Sequence, residues 1–189
     1  MQRKVLMLSV FLFGALVFSA IFPYPIFSNY TNVTSKDMHI INSYQETELK
    51  NQSQNQTTLL NLNFEQINSL LPIDSTFQIY DFEEDDFYNA KRIGGNGHFD
   101  IVFVDLSTNI LQNFDKNYKP VLVKFNDFCF APASLNTYAH GFSDSGSQNL
   151  GHFCLHFKNS TLDNSNQQDS YHQKTIKKAQ KLYKNFARQ

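Results

Sequence analysis

Tryptophan is absent from this chain, cysteine is scarce, and neither sign of charge dominates. The two cysteines, Cys129 and Cys154, are too few for a fold held together by a disulfide scaffold. The 16 basic and 17 acidic residues leave a net charge of -1, so the composition offers no long-range attraction for nucleic acid. Phenylalanine is common, and the 189 residues suffice for one domain with a leader and a linker.

The N-terminus combines Arg3 and Lys4 with an apolar run from Val5 to Phe22. A basic start followed by an apolar segment is typical of an export signal. The run also approaches the roughly 20 residues that span a bilayer, so an uncleaved membrane anchor at residues 5–22 is an open alternative. We therefore interpret residues 1–27 as a signal peptide or signal-anchor. Either form predicts an exported protein, secreted or anchored to the cell membrane, with its domain on the extracytoplasmic side.

Residues 28–62 are polar and repetitive, with few aromatic side chains and no sustained period. Such a composition is typical of a spacer, so we interpret it as a linker that precedes a single globular domain at residues 63–189. Within that domain the acidic run from Glu83 to Asp86 is interpreted as a solvated loop rather than a cation site.

The domain mixes helical and strand patterns, which predicts an α+β fold with a small mixed or antiparallel sheet and a C-terminal surface helix. Asn63 is a candidate N-cap for a helix that stops at Pro72. The last helix is predicted to begin at Asp169 or Ser170 and to reach about Arg188, with an apolar stripe opposite a lysine-rich face. Strands are predicted at 76–82 and 98–105, a short helix at 107–114, and a hairpin with arms at 121–125 and 128–133.

Polar and apolar residues alternate strictly near the end of the domain. One parity contains His152, Cys154 and His156, and the other contains Phe153, Leu155 and Phe157. Successive side chains of a strand point to opposite faces, so the pattern predicts a strand with an apolar underside and a His-Cys-His row on top. His140 starts the loop that leads into this strand, and we expect it to join the row in one site.

This site contains the parts of a cysteine nucleophile. A thiolate needs a base or a cation beside it, and Cys154 with His140 supplies the pair. Backbone N–H groups near Phe153 and Cys154 are candidates to bind a developing oxyanion. His152 and His156 flank Cys154 on the same face, where either can stabilise a thiolate or hydrogen-bond substrate.

The site sequence resembles the signature of the L,D-transpeptidases, which is His-Gly, a loop, then Ser/Thr-His-Gly-Cys, an aliphatic residue and Arg. This chain has His140-Gly141, a loop, then Gly151-His152-Phe153-Cys154-Leu155-His156. Members of that family are exported enzymes that cross-link bacterial peptidoglycan through an acyl-cysteine intermediate. The resemblance implies Cys154 as nucleophile, His140 as base and His152 as a site histidine, with no cofactor and with peptidoglycan peptides as substrate. It places Gly141, Phe153 and His156 on the substrate or oxyanion side.

A second resemblance covers more of the domain. A group of exported domains of Gram-positive bacteria contains His-x-Asp, Ala-Ser-Met-Asn-Gly-Met-Pro-His-Gly, Gly-His-Phe-Cys-Ile-His-Phe and Asp-x-x-His-Gln. The corresponding strings here are His98-Phe99-Asp100, Ala133 to Gly141, Gly151 to Phe157, and Asp169 to Gln173. This resemblance implies an exported, wall-associated protein.

Two alternatives use the same residues differently. Zinc prefers histidine and cysteine ligands, and a zinc hydrolase or a metal-binding domain can be built from candidates in the same region: His98, Asp100, His140, His152 and His156. A disulfide between Cys129 and Cys154 would instead leave a non-catalytic module that binds the wall or a ligand. His172, in the first turn of the last helix, is a further candidate for an extra zinc ligand, but a histidine at that position is expected to be solvated.

Overall fold

The computed structural model describes Ser43, Glu46 and residues 56–105, 118–141, 151–163 and 165–188. The chain divides into two units, Met1–Ser35 and Lys36–Gln189, and all of these residues belong to the second. The apolar leader and the helix predicted at 107–114 lie outside the described residues. Among those described, no helix is long and apolar enough to cross a membrane.

Six antiparallel strands close into a barrel. They are β2 (Thr76–Asp81), β3 (Asp86–Gly94), β4 (Phe99–Phe103), β5 (Tyr118–Lys124), β6 (Cys129–His140) and β7 (His152–His156). Their order is β6-β5-β2-β3-β4-β7, and β7 pairs with β6 again to complete the ring. A two-residue strand, β1 (Thr58–Leu59), adds to β6 in parallel. The predicted α+β class is confirmed, and closure of the sheet is a feature that the sequence did not indicate.

β1 lies in the stretch that the sequence analysis interpreted as a linker, and it precedes the first helix, α1 (Phe64–Leu70). Asn63 caps α1 as predicted: its side chain accepts from the Gln66 N–H, and the Gln66 side chain accepts from the Asn63 N–H. Phe64 and Ile67 join the core of the barrel.

Alternate side chains of the strands point into the barrel and form its core. Phe99 of β4 and Leu135 of β6 both lie opposite Leu155 of β7, and all three side chains are buried. Phe153 and Phe157 are also fully buried in this cluster. The predicted apolar underside of β7 is therefore confirmed, and the other parity of β4, β6 and β7 faces outward.

A second helix, α2 (Ser170–Phe186), packs across the outside of β5 and β6. Asp169 is its N-cap, as predicted, and its side chain accepts from the N–H groups of Tyr171 and His172. Ile176, Ala179 and Tyr183 are buried beneath it, whereas its lysines are exposed. The predicted amphipathic surface helix is confirmed, and its first turn lies against the outer face of the barrel.

The acidic run forms the β2–β3 turn and faces a nearly buried lysine. Lys119 Nζ lies 3.1 Å from Asp81, 3.2 Å from Glu83 and 3.8 Å from Glu84. Burial alone lowers the pKa of Lys119, but the carboxylates of Asp81 and Glu83 together outweigh burial and raise it above its usual value. The cationic partner of this run is therefore a side chain of the protein itself.

Candidate active site

The candidate site is built where β4, β7 and β6 lie side by side on the outer face of the barrel. Cys154 of β7 is opposite Asp100 of β4 on one side and opposite Asn136 of β6 on the other. His98 immediately precedes β4, and His140 ends β6. Residues that are up to 56 positions apart in the sequence are thus brought to one thiol.

Cys154 lies between two imidazoles. Its Sγ is 3.1 Å from His98 Nε2 and 3.2 Å from His140 Nε2. The thiol is 5% exposed, whereas His140 is exposed. The sulfur is therefore shielded from bulk water but is next to a group that solvent or a substrate can reach.

The orientation of His140 is fixed by the backbone of its own strand. Its Nδ1 lies 2.8 Å from the Tyr138 carbonyl oxygen, and only an N–H can donate to that acceptor. This contact assigns the proton of the neutral ring to Nδ1 and leaves the Nε2 lone pair directed at the thiol. His140 is thus arranged to accept a proton from Cys154, as the sequence analysis predicted.

Two glycines shape the corner that joins His140 to His152. Gly141 and Gly151 have φ of 71° and 87°, values that side chains rarely adopt. A Cβ on Gly151 would lie 2.5 Å from the His140 oxygen, and one on Gly141 would lie 2.5 Å from His152 Cε1. Gly141, predicted on the substrate or oxyanion side, lies against the His152 ring.

His98 is held from both sides. Its Nδ1 donates to the Thr161 carbonyl oxygen at 3.0 Å, and its Nε2 lies 3.4 Å from Asp100 Oδ1. Burial alone lowers the pKa of His98, but Asp100 and Cys154 outweigh burial and raise it to about 10. This pKa makes His98 a charged imidazolium at neutral pH, whereas the sequence analysis listed His98 among the candidate metal ligands.

Asp100 lies between His98 and His152, with 3.4 Å from its Oδ1 to Nε2 of each ring. Burial raises the pKa of Asp100, but the His98 hydrogen bond and the nearby imidazoles outweigh it and hold the carboxyl below its usual value. Burial lowers the pKa of His152, whose ring centroid is 4.7 Å from that of His140. The structure thus brings the three predicted catalytic residues, His140, His152 and Cys154, together.

Phe153 lies in the core, as the alternation predicted, and His156 is buried on the opposite face of β7. The Phe153 side chain is buried inside the barrel, while its backbone lies opposite Ile101 of β4 and beside the irregular register of β6 between Asn136 and His140. His156 is 1% exposed and lies between two other imidazoles rather than at the surface. Burial lowers its pKa to about 2, so the ring is neutral.

Ser134 was assigned no site role from the sequence, and His172 lies in a different environment from the one expected. The expectation that His172 is solvated is wrong: the residue is 2% exposed, and its ring stacks on His156 at 3.6 Å. Its Nδ1 is 2.9 Å from the hydroxyl of Ser134, which is fully buried on β6. Burial lowers the pKa of His172 to about 4. The available signal was the Asp-x-x-His-Gln string, because a helix cap fixes which residue of the first turn faces the sheet.

Cys129 and Cys154 are not joined by a disulfide. Cys154 lies opposite Asn136 of β6, and Cys129 begins that strand, seven positions earlier. At roughly 3.3 Å per residue the two lie about 20 Å apart along the sheet, far beyond the reach of a disulfide. The predicted alternative of a Cys129–Cys154 bridge does not fit this fold.

Three groups among the described residues have ligand atoms close enough to hold a metal ion: His98 with Cys154 and His156, His140 with His152 and Cys154, and His98 with Asp100 and Asp163. The zinc set predicted from His140, His152 and His156 is divided between the first two groups. The buried Nδ1 of His156 has no hydrogen-bond partner among the described residues.

Comparison with protein-family models, with curated proteins and with solved structures gave no match for this chain.

Proposed function

We propose that the chain is a cysteine-dependent acyl transferase or hydrolase that acts on cell-wall peptides outside the cytoplasm. The observation that carries this proposal is the position of Cys154 Sγ within 3.1 and 3.2 Å of two imidazole nitrogens. One imidazole is arranged to accept a proton and the other is charged, which is the environment that activates a thiol.

Cys154 and the two imidazoles beside it have separate roles in the proposed reaction. His140 Nε2 takes the thiol proton, and the His98 imidazolium stabilises the thiolate. The sulfur then forms a bond to a peptide carbonyl carbon, and the leaving amine departs with the proton from His140. The resulting thioester is attacked by a second amine in transfer or by water in hydrolysis, and His140 again accepts the proton from that nucleophile. The carbon–sulfur bond breaks, and the departing Cys154 thiolate takes that proton back from His140, which restores the starting state.

The substrate class comes from the sequence. The motif resembles that of the L,D-transpeptidases, and the apolar leader at 5–22 is typical of export or membrane anchoring. Both support peptidoglycan peptides as the substrate of a secreted or membrane-anchored protein.

The test is acyl-enzyme trapping with the full chain in detergent. We expect peptidoglycan tetrapeptides to add an acyl mass to the wild-type protein, on the peptide that contains Cys154, and the Cys154→Ala variant to form no adduct. Turnover of the same substrate by Cys154→Ala at the wild-type rate would contradict the proposal.

A zinc-dependent function is the second candidate. A tetrahedral Zn²⁺ with bonds of about 2.0–2.3 Å separates its ligand atoms by roughly 3.3–3.8 Å. His140, His152 and Cys154 have ligand atoms that all lie within 4.8 Å of one another, and the 3.2 Å from Cys154 Sγ to His140 Nε2 is close to these separations. These three residues would hold the ion, which would polarise a bound carbonyl or activate water. Activity lost with a chelator and restored by Zn²⁺ would favour this candidate, whereas chelator-resistant activity would exclude it.

A further inference from the structure

We propose that Ser134 and His172 are positioning residues that hold the His98 ring against Cys154 through His156. This inference rests on the proposed function of Cys154, because it assigns His98 the task of stabilising the thiolate. None of the three supporting residues reaches the sulfur as a reacting group, so their contribution is to the orientation of His98.

The anchor of this arrangement is a buried hydrogen bond. Ser134 Oγ and His172 Nδ1 are 2.9 Å apart, and the two residues are 0% and 2% exposed. Ser134 lies on β6 opposite His156 of β7, so the hydroxyl is fixed by the sheet. A hydrogen bond at this depth fixes the ring of His172, since breaking it would leave two buried polar atoms without partners.

The orientation passes from ring to ring by stacking. His172 lies on His156 with centroids 3.6 Å apart and an interplanar angle of 10°. His156 lies on His98 at 4.4 Å and 8°. Three nearly parallel rings therefore extend from Ser134 to the imidazole that faces Cys154. Rotation of His98 about its side-chain bonds would break the stack, so the stack limits where Nε2 can point.

The first turn of α2 delivers His172 to this position. Asp169 caps the helix through the N–H groups of Tyr171 and His172. Gln173 then donates to the Phe157 oxygen at 3.1 Å and accepts from the Asn159 N–H at 3.2 Å, which ties the helix to the end of β7. Gln173 therefore offers a matched control, because it docks the same turn while its hydrogen bonds go to the backbone of Phe157 and Asn159 rather than to the stacked rings.

The test compares full-length His172→Phe, Ser134→Ala and Gln173→Leu with the wild type. His172→Phe keeps a ring on His156 but loses the hydrogen bond, and Ser134→Ala removes the other partner. The readout is the alkylation rate of Cys154 by iodoacetamide against pH, mapped by peptide mass to separate Cys154 from Cys129. We call His172→Phe and Ser134→Ala the ring-anchor variants. We expect Cys154 in both to react with iodoacetamide roughly fivefold to tenfold more slowly than in the wild type at pH 6, with the pH midpoint of alkylation moved upward by up to about one unit.

A double variant provides the second part of the test. Cys154 in the protein that carries both His172→Phe and Ser134→Ala should be alkylated no more slowly than in either single variant, because each substitution removes the same hydrogen bond. Gln173→Leu should lower the thermal midpoint and leave the pH profile of Cys154 unchanged. A folded Ser134→Ala protein that alkylates with the wild-type rate and midpoint would overturn the inference, as would an equal shift in Gln173→Leu.

Imidazole ¹⁵N NMR tests the orientation of His98 independently of the proposed function of Cys154. If wild-type Cys154 proves unreactive, the proposed function fails, and the His98 Nε2 resonance still reports the orientation of that ring. A displaced resonance in Ser134→Ala and His172→Phe, but not in Gln173→Leu, supports the positioning role. An unchanged resonance in both ring-anchor variants contradicts it.

Discussion

At the scale of single residues, the two imidazoles beside Cys154 differ in their roles because their hydrogen-bond partners differ. The Nδ1 proton of His140 is bound by a backbone carbonyl, so its other nitrogen is free to accept. His98 donates at both nitrogens, toward Thr161 on one side and toward Asp100 and the thiol on the other. One cysteine thus has a base and a counter-ion in separate positions, which a Cys-His pair alone does not provide.

Replacement of the base should separate these roles. We expect His140→Gln to lower kcat by roughly 10²- to 10⁴-fold, since proton transfer is lost while the charged His98 remains. Steady-state kinetics on the acyl-transfer or hydrolysis substrate would measure this change, with circular dichroism to confirm the fold. A variant that retains kcat within a factor of two would exclude His140 as the base.

Gly151 should be intolerant of a side chain. Gly151→Ala places a Cβ 2.5 Å from the His140 oxygen in a left-handed conformation, so we expect a loss of at least about 2 kcal/mol in the free energy of unfolding. Urea denaturation would measure it. Gly94→Ala is the matched control, because its φ is not positive and its Cβ would be 3.3 Å from the Asp100 side chain. Equal losses of unfolding free energy in Gly151→Ala and Gly94→Ala would show that position 151 has no special requirement for glycine.

At the scale of elements, the turn before β4 is held by a single buried arginine. Arg92 of β3 donates to the carbonyl oxygens of Leu71, Gly94 and Gly95, and its guanidinium lies 3.8 Å from the Phe99 ring centroid. This turn leads directly to His98, so β3 takes part in placing the site although it supplies no residue next to the thiol.

The buried ion pair between β2 and β5 should be costly to break on one side only. Lys119→Met leaves Asp81 charged and 1% exposed without its cation, and we expect a loss of about 3–5 kcal/mol in the free energy of unfolding. The double variant Lys119→Met with Asp81→Asn should lose less than Lys119→Met alone, because the unpaired charge is gone. Chemical denaturation of the four proteins of this cycle gives the coupling energy. A coupling energy near zero would show that Asp81 does not depend on Lys119.

At the scale of the whole molecule, the buried histidines couple stability to pH in opposite directions. His98 has a pKa raised from 6.5 to about 10, so its contribution to stability is fully present below about pH 6.5 and is lost as pH rises toward 10. His156 and His172 have pKa values lowered from 6.5 to about 2 and about 4. They bind protons in the unfolded chain but not in the folded one, so stability falls as pH drops below about 6.5.

These opposing effects predict a stability maximum near pH 6 to 7. Each uncompensated histidine changes the free energy of unfolding by up to about 1.4 kcal/mol per pH unit. Thermal midpoints between pH 4 and 10 would measure the curve, and His172→Phe should flatten its acidic limb while the basic limb is retained. An unchanged acidic limb in that variant would show that His172 does not titrate as described.

Much of the local structure follows from the sequence. The strict alternation at 152–157 predicted which side chains of β7 face the core, and Asn63 and Asp169 were recognised as caps because their side chains satisfy the first N–H groups of a helix. The association of His140 with Cys154 was predicted as well, since a short loop separates their strands.

The parts that were missed depend on long-range contacts. Polar and apolar residues do not alternate cleanly along β3, because the charged Arg92 is buried and several neighbours are only half-buried. The hydrophobic pattern of this segment therefore did not predict a strand. The closure of β7 on β6 and the approach of His172 are set by register and helix docking, which a single sequence does not encode locally. His98 and Asp100 were recognised as candidate metal ligands, but the distance from His98 to Cys154 required the pairing of β4 with β7.

The most direct test of the central claim is the alkylation rate of Cys154 in the wild-type chain at neutral pH, with and without a chelator. The account predicts fast labelling of Cys154 without chelator or reductant, and marked slowing in His98→Gln. Labelling that appears only after chelator is added, or a rate equal to that of the unfolded chain, would contradict an activated cysteine nucleophile.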